Sequence, residues 1–121
     1  AVRSRTPGRA ANFRAAADGL GVPVALAADC TVILNCTPLG MADGDPLPLQ
    51  PTDAPGARVA LDLVYRRGET RWVAAMRKAG CRAGDGRDAL VEQGAAAFEK
   101  WFPRHLAPRE VMRAAVRAAL G

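Results

Sequence analysis

The segment Asn35–Met41 combines groups that can contact a ligand with a turn that can position them. It follows the apolar run 31–34 and contains Thr37, Pro38 and Gly40. In an open α/β sheet, ligands bind in the crevice outside the carboxyl ends of the strands. If residues 31–34 form a strand, the backbone and hydroxyl groups of this loop are placed to contact a ribose or a phosphate.

A second junction of the same kind follows the short run 81–84 and contains Asp85 and Gly86. Because glycine has no side chain, a ligand can approach the backbone at Gly86 closely. Gln93 lies two helical turns further on, so a helix would place it on the same face as Gly86. Its amide both donates and accepts hydrogen bonds, which suits a polyhydroxylated ring.

A basic segment at the front of the chain is a candidate phosphate site. Val2 has the character of a strand end, and Thr6 followed by Pro7 is typical of a helix start, with Thr6 as the cap. Arg5 and Arg9 accompany that start, where positive charge is unfavourable unless an anion is bound. In dinucleotide-binding folds an acid at this place selects NAD, whereas an arginine suits the 2′-phosphate of NADP. The alternative interpretation is a solvated basic helix start.

The elements that would position these groups alternate between strands and helices. Such alternation predicts an α/β fold with a parallel sheet and helices on its faces. Leu63 and Tyr65 alternate along one face of the strongest strand. The predicted strands end at Val2 and cover 22–26, 31–34, 58–65 and 81–83, and the predicted helices cover about 6–19, 70–79, 87–101 and a final segment from Pro108.

Composition argues against several classes of function. The 121 residues have a formal net charge of +5, but the arginines are scattered and aromatic residues are few, which disfavours nucleic-acid binding. No apolar stretch approaches the roughly 18 residues of a membrane span. His105 is the one histidine and the three cysteines lack metal-type spacing, which disfavours a histidine triad or a zinc site. Cys30 and Cys36 border an apolar strand and are interpreted as small buried residues, in a protein of the reducing cytoplasm.

Three motifs together resemble the shikimate dehydrogenase family. They are Ser4-Arg5-Thr6-x-x-Arg9-Ala10, Asn35-x-Thr37-Pro38-x-Gly40-Met41, and Asp85-Gly86 followed by Leu90, Val91, Gln93 and Gly94. The resemblance implies a Rossmann-like sheet and reversible reduction of 3-dehydroshikimate to shikimate by NADPH, in aromatic amino-acid biosynthesis. It implies NADP contacts at Ser4, Arg5, Thr6, Arg9, Thr37, Pro38, Met41, Leu63, Gly86 and Ala89, and substrate contacts at Tyr65 and Gln93.

The chain departs from the family pattern at four places. Ser4 replaces an Asn, Ala89 replaces a Met expected beside the nicotinamide, Arg66-Arg67 stands where Asn-Pro is frequent, and Arg87-Asp88 is also unusual. Arg66-Arg67 and Ala89 leave open a relative that acts on quinate or aminoshikimate, or a paralogue that has lost activity.

The resemblance covers only the C-terminal part of the family's enzymes. No Gly-x-Gly-x-x-[Gly/Ala] loop is present, and neither Lys78 nor Lys100 matches the family's catalytic Lys. We therefore expect a partial NADP-binding domain over 1–105, whose first strand and glycine-rich loop are absent, and a helix over 106–121 that packs toward a missing N-terminal domain. No catalytic or metal-binding residue is expected in the chain, and the isolated chain is expected to be inactive. A non-catalytic nucleotide-binding module is the alternative.

The resemblance also bears on partners and on the shape of the sheet. It implies small-molecule partners, no nucleic acid, no membrane, and a monomer or homodimer for the full-length enzyme. In the doubly wound strand order, the first strand lies between the strand ending at Val2 and the strand 31–34. We therefore expect a gap in the sheet at that place.

Overall fold

The computed structural model describes residues 1–4, 6–24 and 27–121. Its centre is a parallel sheet of three strands in the order β1-β2-β3. The strands are β1 (Val32–Asn35), β2 (Val59–Asp62) and β3 (Arg82–Gly84). The helices are α1 (Pro7–Gly19), α2 (Arg71–Lys78), α3 (Arg87–Trp101) and α4 (Arg109–Leu120), and short 3₁₀ turns cover Ala27–Asp29 and Pro51–Asp53. The predicted parallel α/β arrangement is confirmed.

The sequence of helix α2 explains where this helix begins and ends and which face it buries. Thr70 caps its N-terminus, where the side-chain oxygen accepts a hydrogen bond from the Val73 amide. Trp72, Val73 and Met76 fall on one face and are fully buried. Gly80, with φ +92°, supplies the left-handed conformation that ends the helix. The buried face lies over the sheet, where Met76 and Trp72 form a core cluster with Ala60 and Cys81.

Helix α4 packs against α3, and an ion pair between Glu99 of α3 and Arg109 of α4 stabilises this contact. Glu99 accepts hydrogen bonds from Arg109 Nη1 at 2.6 Å, from Arg109 Nη2 at 3.2 Å and from the Ala107 amide at 3.1 Å. The bonds from Arg109, and then the bond from Ala107, hold the pKa of Glu99 below its ordinary value. The hydrogen bond to Glu99, and to a smaller extent the one to Glu92, raises the pKa of Arg109.

Two predicted strands are not formed among the described residues. Residues 1–4 and 22–24 have no strand conformation, and residues 25–26 lie outside the described part of the chain. The prediction was wrong for Val2 because a strand needs a neighbour, and β1 pairs with β2 alone in the described residues. A cavity of about 530 Å³ lies beside β1, and its lining includes residues 1–3 and residues 32–37. Phe13 of α1 also lines it.

Two further expectations need correction. β2 is shorter than predicted, so Leu63 and Tyr65 follow the strand rather than lie within it. Side-chain alternation nevertheless continues, because Val64 is buried while Leu63 and Tyr65 are each 41% exposed. Cys36 is exposed and Cys30 is partly exposed, so the interpretation of both as buried residues was wrong. Cys36 is exposed because it follows the buried Asn35 and points away from the core.

Candidate functional site

The carboxyl ends of the three strands meet at one edge of the sheet. The pairing register places Asn35 opposite Asp62, and Leu61 opposite Gly84. The loop that begins at Cys36, the segment after Asp62 and the junction at Asp85 therefore all leave the sheet on the same side. This edge gathers two of the three sequence motifs and the Leu63–Tyr65 segment.

A buried polar network joins the ends of β1 and β2. Asp62 is completely buried and accepts three hydrogen bonds. Its Oδ1 accepts from Asn35 Nδ2 at 2.7 Å and from the Val64 amide at 3.1 Å, and its Oδ2 accepts from Thr70 Oγ1 at 2.8 Å. Because Thr70 also caps α2, one carboxylate fixes a strand end, the segment after it and the start of a helix.

Asn35 extends this network into the loop that begins at Cys36, which we call the Thr37 loop. Its Oδ1 accepts from the Thr37 amide at 3.0 Å and from Thr37 Oγ1 at 2.7 Å. Its Nδ2 also donates to the Leu39 carbonyl at 3.2 Å, and the Leu39 amide donates to Thr37 Oγ1 at 3.2 Å. The Thr37 hydroxyl thus donates its proton within the loop, so toward a ligand it can act only as a hydrogen-bond acceptor.

The far half of the loop is held by a second carboxylate. Asp45 Oδ2 accepts from the amides of Gly40 at 3.1 Å and Ala42 at 3.0 Å. Gly40 has φ +101°, a conformation that disfavours any residue with a side chain. Pro38 and Met41 are left exposed on the surface of a loop that is rigid by its internal bonds.

Gly86 lies directly against the segment that follows β2. A Cβ atom at this position would lie 2.2 Å from the Leu63 carbonyl oxygen, and the Gly86 amide donates to the Val64 carbonyl at 3.3 Å. The space that a side chain at residue 86 would occupy is therefore filled by the backbone of Leu63. Glycine is required here by packing between the Gly86 junction and the segment after β2, a reason that the sequence interpretation missed.

Helix α3 carries the remaining predicted contacts of this edge. Ala89 is partly exposed in its first turns. Gln93 is exposed, and its Nε2 donates to the Leu90 carbonyl of the same helix at 3.1 Å. The amide oxygen of Gln93 keeps its capacity to accept a hydrogen bond.

The predicted phosphate site at the front is only partly described. Arg5 lies outside the described residues, and Ser4 Oγ accepts from the Thr6 amide at 3.2 Å. Thr6 occupies the cap position of α1, but its side chain makes no capping hydrogen bond. Arg9 is exposed, the first turn of α1 has no acidic residue, and no carboxylate within 1–4, 6–24 or 27–121 pairs with Arg9.

The described residues form neither a metal-type cluster nor a membrane-spanning helix. No group of three or more His, Cys, Asp or Glu side chains there is arranged to hold a metal ion. Among those same residues, no helix has the length and apolar character needed to cross a membrane.

Asp62 and Thr70 were missed as members of the site when the sequence was considered alone. The available signal was an acidic residue directly after the apolar run 59–61, with Asn35 directly after the run 31–34. Buried polar residues are almost always hydrogen-bonded, so two such residues at neighbouring strand ends indicate mutual contact.

A family model described as the shikimate 5′-dehydrogenase C-terminal domain matches residues 86–117. The shikimate dehydrogenase (NADP(+)) of Symbiobacterium thermophilum is 41% identical over 98% of this chain and 40% of its own length. That of Methanothrix thermoacetophila is 46% identical over 74% of this chain and 33% of its own length. The chain therefore spans less than half the length of these relatives.

Solved structures give the same picture. Shikimate 5-dehydrogenase from Thermus thermophilus, in complex with NADP(H) and shikimate, superposes with a TM-score of 0.79 at 34% identity. The match covers 96% of this chain and 44% of that one. Shikimate dehydrogenase from Mycobacterium tuberculosis superposes with a TM-score of 0.69 at 29% identity, covering 95% of this chain and 44% of that one.

Proposed function

The chain belongs to the shikimate dehydrogenase family, and from this premise we propose that it forms the NADP-binding part of an enzyme that reversibly reduces 3-dehydroshikimate to shikimate. Residues 1–105 belong to the cofactor-binding domain, and residues 106–121 form a helix that packs toward the substrate domain. The enzyme works in the cytoplasm, in the synthesis of aromatic amino acids. The observation that carries the proposal is the register that brings the Thr37 loop, the Leu63–Tyr65 segment and the Gly86 junction to one edge of the sheet.

The front of the chain fits the 2′-phosphate of NADP. Arg9 is exposed and its guanidinium has no carboxylate partner among the described residues, so it keeps its capacity for a bidentate contact to phosphate. The helix start adds a partial positive charge, and the absence of an acid in the first turn of α1 leaves that charge uncompensated. Arg5, Ser4 and Thr6 complete this phosphate site.

The strand-end edge fits the rest of the cofactor. Leu63 and Met41 are exposed apolar side chains, which suit contact with the planar ring of a dinucleotide. The backbone beside them suits hydrogen bonds to its ribose. Thr37 and Pro38 contact the ribose from one side, where the Thr37 hydroxyl oxygen accepts a hydrogen bond, while Gly86 and Ala89 contact the nicotinamide from the other. When bound as NADPH, the cofactor supplies the hydride.

Tyr65 and Gln93 are the contacts of the chain to the substrate. The Tyr65 side chain is 41% exposed and no described group hydrogen-bonds its hydroxyl, and Gln93 keeps its amide oxygen available. Both therefore offer hydrogen bonds to the hydroxyl groups of shikimate. The groups that handle the proton belong to the part of the enzyme outside these 121 residues, because Lys78 and Lys100 are exposed on helices away from the strand ends.

Comparing NADP with NAD tests the proposal. Arg9→Ala should weaken NADP binding by about 1.5–3 kcal/mol, the range for a hydrogen bond to a charged group. NAD binding should remain within twofold of wild type, because NAD lacks the 2′-phosphate. Arg14→Ala is the matched control, since Arg14 is also an exposed arginine of α1. Titration calorimetry on the complete enzyme measures six affinities, those of wild type, Arg9→Ala and Arg14→Ala for each cofactor. An equal loss for both cofactors, or an equal loss in Arg14→Ala, would refute the assignment.

The isolated chain provides a second test. It should show no oxidation of shikimate by NADP, because the proton-handling groups are outside it. Turnover by the purified 121-residue chain would show that the chemistry has been assigned to the wrong part of the protein.

A further inference from the structure

Arg87, the first residue of α3, ties three separate segments of the chain together. Its Nη2 donates to the carbonyls of Arg66 at 2.8 Å and Gly68 at 2.5 Å, and its Nη1 donates to the Gly121 carbonyl at 3.2 Å. Its Nε lies 3.2 Å from Asp85 Oδ2 in an ion pair. The Arg87 side chain is 24% exposed, compared with 63% for Arg3 and 56% for Arg77.

The turn formed by residues 66–68 also makes hydrogen bonds to the end of α4. The Gly68 amide donates to the Leu120 carbonyl at 3.3 Å, and Arg67 Nη2 donates to the Ala119 carbonyl at 3.3 Å. The last carbonyls of a helix have no partner within it and carry partial negative charge. Arg67, the Gly68 amide and Arg87 satisfy them, so the turn 66–68 is clamped between the start of α3 and the end of α4.

The clamp lies next to the proposed ligand contacts along the chain. The turn 66–68 comes directly after Tyr65, and Arg87 comes directly after Gly86, whose amide is bonded to the Val64 carbonyl. Leu63 and Tyr65 thus sit between two anchored points, the Asp62 network before them and the Arg87 clamp after them.

We propose that Arg87 is a positioning residue that sets the placement of Leu63 and Tyr65 relative to Gly86, and that couples this placement to the end of α4. The effect on ligand binding rests on the proposed function, whereas the mechanical coupling does not. A guanidinium is needed because a single lysine ammonium cannot reach three carbonyls in two separate segments, the turn 66–68 and Gly121, from the start of α3. An arginine that merely neutralised Asp85 would need none of these carbonyl contacts.

The coupling is tested by amide hydrogen exchange in the 121-residue chain. In Arg87→Met, protection of the Gly68 amide should fall roughly tenfold, the ratio expected for the loss of about one net hydrogen bond. The Val73 amide, bonded to Thr70 in the core, should keep its protection. Arg82→Met serves as the control, since Arg82 is an exposed arginine of β3. Arg87→Lys keeps the charge and should give an intermediate loss at Gly68, which also provides a milder variant if Arg87→Met fails to fold.

The ligand effect is tested with two probes, NADPH and 2′,5′-ADP, which lacks the nicotinamide half. Arg87→Met should weaken NADPH roughly tenfold by the same reasoning and leave 2′,5′-ADP within twofold of wild type. Unchanged protection at Gly68, or a loss shared equally by Val73, overturns the positioning role. Unchanged NADPH affinity in a variant that has lost Gly68 protection overturns the link to the ligand. These affinities are measured in the complete enzyme; if its wild type binds neither probe, the proposed function fails, and the exchange experiment still decides whether Arg87 positions the turn.

Discussion

Removing the Asp62 carboxylate should destabilise this chain more than almost any other single change of a polar side chain. Asp62 is fully buried and accepts hydrogen bonds from Asn35, the Val64 amide and Thr70. Asp62→Ala removes the acceptor of three buried hydrogen bonds and opens a void among the donors, of which only Asn35 Nδ2 keeps another acceptor, the Leu39 carbonyl. A buried donor left unsatisfied costs about 1–3 kcal/mol.

The expected loss is about 3–5 kcal/mol, as for other broken buried polar networks, because water entering the void compensates part of the three separate costs. A domain of this size has a free energy of unfolding of about 5–15 kcal/mol, so Asp62→Ala should leave it marginally folded or unfolded. Asp62→Asn is milder. Its amide oxygen still accepts from Asn35 and Val64, but its amide nitrogen faces the Thr70 hydroxyl. That variant should lose about 1–3 kcal/mol.

The assay is urea unfolding followed by tryptophan fluorescence, in which the buried Trp72 reports on the core next to α2. Asp43→Asn is the matched control, because Asp43 is an exposed carboxylate paired with Arg66 at 2.6 Å. An exposed ion pair contributes about 0–1 kcal/mol, so the control should change little. A loss below about 1 kcal/mol in Asp62→Ala, or the same loss in Asp43→Asn, would refute the reasoning that the network is a major source of stability.

Three further outcomes are expected. Gly86→Ala should cost at least about 1–3 kcal/mol of overpacking, because the new Cβ would lie 2.2 Å from a backbone oxygen of the segment after β2; Gly44→Ala, which meets nothing within 4 Å, should cost far less in the same urea assay. In the complete enzyme, Gln93→Ala should raise the KM for shikimate far more than it weakens NADP, and a fall in cofactor affinity at unchanged KM would move Gln93 to the cofactor. Glu99→Gln should flatten the loss of thermal stability on acidification: hydrogen bonds from Arg109 lower the native pKa of Glu99, so its contribution is present above the unfolded pKa and lost as pH falls through the folded one. Parallel curves of Tm against pH for wild type and variant would contradict this.

Local sequence signals were sufficient for the elements whose ends are chemically marked. α3 runs from Arg87 to Trp101 as predicted, because Gly86 precedes it and Pro103 prevents its continuation. α2 was predicted to within a residue at each end, since Thr70 caps it and Gly80 follows it.

Features that depend on distant pairing were not predictable in this way. The segment 22–24 has strand-like composition, yet no strand forms there, because composition does not supply a neighbour to pair with. The role of Asp62 depends on the register that places it opposite Asn35, 27 residues away. The sequence singled out Gly86 as a place for close approach of a ligand, whereas its packing against the backbone of Leu63 depends on distant pairing and was not predictable.

The outer edge of β1 has a consequence for every solution experiment on this chain. No described strand pairs with that edge, and its Val32 and Leu34 side chains are 61% and 51% exposed. Unpaired backbone groups beside exposed apolar side chains are a template for adding another strand, including one from a second copy of the chain. Any species that binds the folded edge but not the unfolded chain shifts the folding equilibrium by mass action. The midpoint of unfolding should therefore rise with protein concentration, and free energies measured at a single concentration would combine folding with self-association.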